Sequence, residues 1–219
     1  MTDPKWKKSI AITGAGSGFG KALALRYAAA GWNVAVTDID EHRARSTLAA
    51  IERFDGHNFC MQLDITMADH WQQLQDTVEE QWGGLEVLVN NAGVATAGNV
   101  EETSMEDWRW VLDTDLMGVV RGCHQFAGMM KRQQAGHIVN VSSFAGLAGL
   151  PFIAAYGVAK AGVVALSEAL RLEMQPHGVG VTVACPAFVK TGLMDSFRST
   201  KPGTRAKVTR WMEASGVSA

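Results

Sequence analysis

A chain of 219 residues, 47% apolar and 19% charged, with a formal net charge of -2, has room for one α/β domain with a substantial core. That balance offers neither a basic field for nucleic acid nor a polybasic face for a membrane, so the expected partners are small molecules and further copies of the chain. Cys60, Cys123 and Cys185 are too few and too scattered for a disulfide framework or a Cys/His metal cluster, so no metal and a reducing, cytoplasmic setting are expected.

Residues 1–8 carry basic side chains but lead into an apolar run without a leader or cleavage pattern, so no signal peptide is expected. The longest weakly charged stretch, 144–159, is broken by Pro151 and several glycines and is too short to span a bilayer.

The first apolar run, 10–13, breaks into Gly14-Ala15-Gly16-Ser17-Gly18-Phe19-Gly20 and then into a helical pattern over 18–30 closed by Gly31. Strand, tight turn and helix in that order put backbone N–H groups and a helix N-terminus where a pyrophosphate can sit. Gly14, Gly16, Ser17, Gly18, Phe19 and Gly20 are therefore candidate cofactor contacts, with a plain glycine-rich loop as the alternative. A second strand, 33–37, ends at Asp38. Its carboxylate can accept hydrogen bonds from an adenosine ribose diol and repels a 2′-phosphate, which favours NAD over NADP. A turn acid capping the helix over 41–54 explains the same residue, and the nearby Arg43 weighs toward NADP.

Strand 58–63 is followed by Asp64 and Ile65, and helix 69–82 leads to strand 86–90. Asn90, Asn91, Ala92 and Gly93 come next, small residues that let the backbone pass close to a ligand. The pattern over 105–132 reads as one long helix containing Asp115. Strand 137–141 runs into Ser142-Ser143, helix 154–175 carries Tyr156 and Lys160, and strand 179–184 precedes Pro186, Ala187, Val189 and Thr191. A further helical stretch spans 204–214. Strands alternating with helices fold through right-handed crossovers into an α/β, Rossmann-like, doubly wound parallel sheet of six strands, in a single domain over 1–219.

Tyr156 and Lys160 stand one helical turn apart on the same face. An ammonium about 4 Å from a phenol favours the phenolate by roughly 4 kcal/mol at an effective dielectric near 20, so the spacing predicts a tyrosine whose pKa is drawn toward neutrality. An amphipathic helix with one buried aromatic and one solvated lysine has the same spacing.

Taken together, TGxxxGxG at 13–20, NNAG at 90–93, Ser142-Ser143 and YxxxK at 156–160 resemble the short-chain dehydrogenase/reductase family, in order and in spacing, from about Ser9 to Thr191. The resemblance implies an oxidoreductase that moves a hydride between a nicotinamide cofactor and an alcohol or ketone. It implies Tyr156 as general acid/base, Ser143 on the substrate oxygen, and Lys160 on both the tyrosine and the nicotinamide ribose. It places the 14–20 turn at the phosphates, Asp38 at the adenosine ribose, Asp64 and Ile65 around adenine, and Asn91, Ala92 and Gly93 by the adjoining ribose. Pro186, Val189 and Thr191 fall at the nicotinamide carboxamide, and Thr191 also suits a helix N-cap. A homodimer or homotetramer is implied as well.

The chain departs from that family at three places. Asp115 stands where the fourth catalytic member is usually Asn, and an ionised carboxylate there offsets part of the pull of Lys160 on Tyr156, whereas a protonated one mimics the amide. Pro186-Ala187 replaces a usual Pro-Gly, which predicts a small local adjustment. The last strand of the family's sheet has no counterpart in the pattern, which predicts a missing or shortened C-terminal strand. These departures motivate a second reading, an NAD(P)-binding regulator or weakly active relative. Apolar residues in 144–152, with Leu193, Met194, Phe197, Trp211 and Met212, predict an uncharged, fairly apolar substrate, and core packing accounts for them equally.

Overall fold

The computed structural model describes residues 6–187, Leu193 and 196–200. Its main sheet has six parallel strands in the order β3-β2-β1-β4-β6-β7: β1 Ser9–Thr13, β2 Asn33–Asp38, β3 Phe59–Gln62, β4 Val87–Asn90, β6 Gly136–Val141 and β7 Val179–Ala184. Helices α1 Gly18–Ala29 and α2 Glu41–Ile51 cover one face, while α3 Ala68–Trp82, α5 Gly118–Gln133 and α6 Ala154–Met174 cover the other. The Rossmann-like doubly wound expectation is therefore met.

Side chains alternate across a strand, and β1 shows what that does. Ile10 and Ile12 join the core beneath α1 and α2, whereas Ala11 joins the one beneath α3, α5 and α6, where Trp71, Trp82 and Phe126 are fully buried. Burial of each such large side chain contributes about 1.5–3 kcal/mol. Gly20, Ala24 and Ala28 form the buried stripe of α1 and bring that helix close to the sheet.

From β1 the chain winds outward to β3, then returns across the sheet to β4 on the other side of β1. That reversal opens a crevice above the carboxyl ends of β1 and β4, the place where such sheets bind ligands.

Two features differ from the sequence reading. The single helix expected over 105–132 is α4 Met105–Leu112 and α5 joined by one wide π-helical turn, Asp113–Met117, which admits an extra residue and turns Asp115 inward to complete burial. A second, two-stranded parallel sheet pairs β5, Thr96–Ala97, with β8, Arg198–Ser199. Residues 204–214, expected to be helical, lie outside the described residues, as do Val189, Thr191, Met194, Trp211 and Met212. Among the described residues no helix is long and apolar enough to cross a membrane.

Candidate active site

The glycine turn closes on the end of β2. The Gly16 N–H donates to Asp38 Oδ2 at 2.9 Å, and the Asp40 N–H donates to Asp38 Oδ1 at 3.0 Å. A Cβ on Gly16 would stand 2.5 Å from Arg43 Cβ and 2.7 Å from Asp38 Oδ2, so no larger residue fits without movement. Gly14 has φ +65°, and a Cβ on Gly20 would meet the Gly14 carbonyl oxygen at 2.3 Å. Asp40, not Asp38, caps α2, accepting from the N–H groups of His42 and Arg43, while both oxygens of Asp38 serve the turn. At α1 the Ser17 side chain makes no cap and the first turn carries no acid, so that N-terminus keeps its N–H groups and positive dipole end. These features suit a dinucleotide pyrophosphate.

Asn91 holds β4 against the turn. Its side-chain amide donates to the Thr13 carbonyl at 2.8 Å, and the N–H groups of Asn91 and Ala92 both donate to Thr13 Oγ1, at 2.9 and 3.0 Å. Across the crevice the Asp64 carboxylate accepts from Thr66 N–H, while His70 Nδ1 accepts from Asp64 N–H. Ile65 packs on Gly118, where a Cβ would lie 2.6 Å from its Cδ1.

Tyr156 and Lys160 occupy the first two turns of α6, with Lys160 Nζ 5.7 Å from the phenol ring centre. Lys160 is only 4% exposed, and its ammonium donates to the Val141 carbonyl at 3.3 Å. Ser142 Oγ donates to the Lys160 carbonyl at 2.8 Å and so serves structure, whereas Ser143 lines the cleft together with Tyr156 and accepts from the Ala145 N–H at 3.2 Å. Asp115 Oδ2 lies 3.2 Å from Lys160 Nζ, and its Oδ1 accepts from Val94 N–H at 2.7 Å. Gly93 packs against both, since a Cβ there would stand 3.3 Å from the carboxylate oxygens and from Nζ.

A cleft of about 740 Å³ joins these groups, running from Gly14, Ser17, Gly18, Phe19 and Asp38 past Asp64, Ile65 and 91–93 to Ser143, Tyr156, Lys160 and Pro186. Of the described residues expected at the site, all but Gly16, Gly20 and Asp115 line this cleft; Gly16 bonds Asp38, Gly20 packs on the Gly14 carbonyl, and Asp115 is buried behind Lys160. Its far end is apolar, bounded by Trp110, Phe144, Leu150, Phe152, Leu193 and Phe197.

The family model for short chain dehydrogenases matches residues 8–202. The chain belongs to the short-chain dehydrogenase/reductase family. It is 37% identical over 196 residues to the probable oxidoreductase EphD of Mycobacterium tuberculosis, a match covering 89% of this chain and 33% of that protein, so it spans about a third of that relative's length. It is also 37% identical over 188 residues to an uncharacterized oxidoreductase of Thermotoga maritima, covering 85% and 74% of the two chains. A crystal structure of a short-chain dehydrogenase/reductase from Burkholderia phymatum in complex with NAD superposes with a TM-score of 0.83 at 38% identity, covering 86% of this chain and 68% of that one. The chain accordingly has the Rossmann fold of this family.

Within this family member the electrostatics of the tyrosine differ from the spacing argument. Burial pushes the Tyr156 phenol up, Lys160 pulls it down, Asp115 pushes it up again, and the Ser143 hydrogen bond pulls it down, leaving it above its ordinary value. The expectation of a phenol drawn toward neutrality counted the lysine alone. For Lys160, burial pulls the ammonium down, yet Asp115 and Tyr156 more than restore it. Burial pushes the Asp115 carboxyl up against the pull of Lys160 and the Val94 N–H. Thr13 escaped the sequence reading although it opens TGxxxGxG: a hydroxyl at the last strand position is its signal.

Proposed function

We propose that this chain is an NAD-dependent oxidoreductase that interconverts an uncharged alcohol and its ketone, with Tyr156 passing the proton. The supporting observation is that Ser143, Tyr156 and Lys160 meet on one wall of the same cleft whose other end carries the glycine turn and Asp38. A bound nicotinamide dinucleotide supplies a ring carbon that takes or gives the hydride.

In this reading the N–H groups of Gly14, Gly16, Ser17, Gly18, Phe19 and Gly20 surround the phosphates, and Asp38 accepts from the adenosine ribose. Asp64 and Ile65 bound the adenine, Asn91, Ala92 and Gly93 flank the adjoining ribose, and Pro186, Val189 and Thr191 serve the nicotinamide end. Asp38 favours NAD because a 2′-phosphate would meet its charge. Ser143 donates to the substrate oxygen and stabilises charge that develops there. Tyr156 removes the hydroxyl proton in oxidation and returns it in reduction, while Lys160 supports the phenolate and the ribose.

The apolar far end favours a substrate without charge. The chain is read as one domain carrying both cofactor and chemistry, and as a homodimer or homotetramer. Val158 and Leu172, 52% and 62% exposed on α6, supply apolar surface for such packing.

An absorbance screen for reduced cofactor, using secondary alcohols and ketones with NAD and NADP in parallel, tests the reading. Turnover with NAD on apolar substrates is the expected result. Cofactor binding without turnover on any of them would favour the regulator instead.

A further inference from the structure

Asp115 carries an inference about the direction in which the proposed site works, and it rests on that reading of Tyr156. The carboxylate is fully buried, 0% exposed, and is in ion-pair contact with an ammonium that is itself nearly sealed from solvent. Its Oδ1 accepts from Val94 N–H and its Oδ2 lies 3.2 Å from Lys160 Nζ, so both neighbours are donors and favour the ionised form against the upward push of burial. Gly93 packs close to both groups, a Cβ there standing 3.3 Å from the carboxylate oxygens and from Nζ.

The remaining charged groups facing this pair are few. On the same π-turn, Asp113 is taken up by Arg121 of α5 at 2.7 Å. Asp64, after β3, caps its own turn through Thr66. The segments 90–97 and 142–153, which pack around Tyr156 and Lys160, contain no ionisable side chain. The charge balance at the phenol is thus set by one cation and one anion in direct contact. A cation paired at 3.2 Å presents to a third group little more than a dipole, so its pull falls off faster than that of a bare charge.

We propose that Asp115 is a positioning residue whose carboxylate, tied directly to the Lys160 ammonium, cancels much of that ammonium's pull on Tyr156 and so sets the site as a proton donor, for carbonyl reduction, through the neutral range. In that direction the carbonyl carbon gains a hydride from a reduced nicotinamide dinucleotide and the carbonyl oxygen takes the phenol proton. Tyr156 is left as phenolate until solvent reprotonates it. Oxidation needs the phenolate beforehand and is confined to alkaline solution. The order of the two limbs follows from which protonation state each direction consumes.

The chain has two tyrosines, Tyr27 and Tyr156, which makes the phenol directly readable. Tyr27 lies in α1 against Trp32, away from the cleft, so a Tyr27→Phe background leaves Tyr156 as the sole source of tyrosinate absorbance. Titrating that background, with and without Asp115→Asn, reads the phenol without any turnover. The expected result is a transition in the Asn variant at least about one pH unit lower than in its parent. The ratio of alcohol oxidation to ketone reduction near neutral pH should then rise several-fold in the same preparation. A transition that stays, or moves to higher pH because Lys160 loses its proton, overturns the proposal. If the Asn variant does not fold, the parent alone decides: a Tyr156 that titrates clearly below the ordinary value near 10 contradicts the cancellation, and one at or above it supports it. A chain that shows the shift but no turnover would sink the enzymatic reading, and with it the reductive direction, while the cancellation of the Lys160 charge by Asp115 would stand.

Discussion

The Gly16 N–H and Asp38 Oδ2 meet at 2.9 Å, which makes the glycine turn and the carboxyl end of β2 a single unit. Asp38→Ala removes both this bond and the proposed acceptor for the ribose. Loss of a hydrogen bond to a charged group costs about 1.5–3 kcal/mol, so the Kd for NAD should rise at least about tenfold while that for NADP holds or falls. Paired titrations of both cofactors check it. Equal losses for the two would mean that Asp38 only shapes the turn.

Beneath the site, Asn140 is fully buried between Asn90 and Ser167, accepting from Asn90 Nδ2 at 2.8 Å and donating to Ser167 Oγ at 2.9 Å. Asn140→Leu strands the Asn90 amide among apolar neighbours and should cost about 2–3 kcal/mol. The urea midpoint should fall with the slope m unchanged. A variant within about 0.5 kcal/mol of the parent would show that the network contributes little.

Lys160 ties stability to pH. Its folded-state pKa is raised, so its contribution is complete below the ordinary lysine range, about pH 10, and is lost as pH rises through the folded value. Denaturation at about pH 8 and about pH 11 should show a steeper decline in the native chain than in the double variant Asp115→Leu, Lys160→Met. Asp115→Ala alone leaves a buried ammonium unpaired and should cost about 3–5 kcal/mol at neutral pH. In Asp115→Asn the amide oxygen still faces the Val94 N–H, and the loss should be smaller. Parallel pH dependence in the native chain and the double variant would contradict the ion pair's role.

Arg198 fastens β8 over the apolar end of the cleft. Its guanidinium sits 3.9 Å from the centre of the Trp110 ring and 2.9 Å from Asp107 Oδ1, while its N–H donates to the Ala95 carbonyl. Arg198→Ala removes the first two contacts and keeps the third. The KM for an apolar ketone should rise about five- to thirtyfold, by loss of about 1–2 kcal/mol, with NAD affinity intact. An unchanged KM would detach this segment from substrate binding.

The legible parts of this molecule are those whose cause is local. Ile10 and Ile12 against Ala11 give the strand its two faces, and the glycines at 14, 16 and 20 stand where a Cβ collides with a named neighbour. The π-turn was not legible, because one extra residue between Asp113 and Met117 leaves the apolar periodicity on either side undisturbed. Nor were β5 and β8, two residues each, whose pairing depends on chain distant in sequence. The charge state of Tyr156 escaped for the same reason: YxxxK fixes the nearness of the lysine, but burial and the approach of Asp115 are set by tertiary packing.

Tyr156→Phe tests the central claim most directly, since it removes the hydroxyl and leaves the ring in place. With NAD affinity measured in the same preparation, turnover of the best substrate should drop by about 10²–10⁴-fold while cofactor binding stays within about threefold of the native chain. A phenylalanine variant that keeps more than about a tenth of native turnover with unchanged cofactor binding would show that the proton travels by another group.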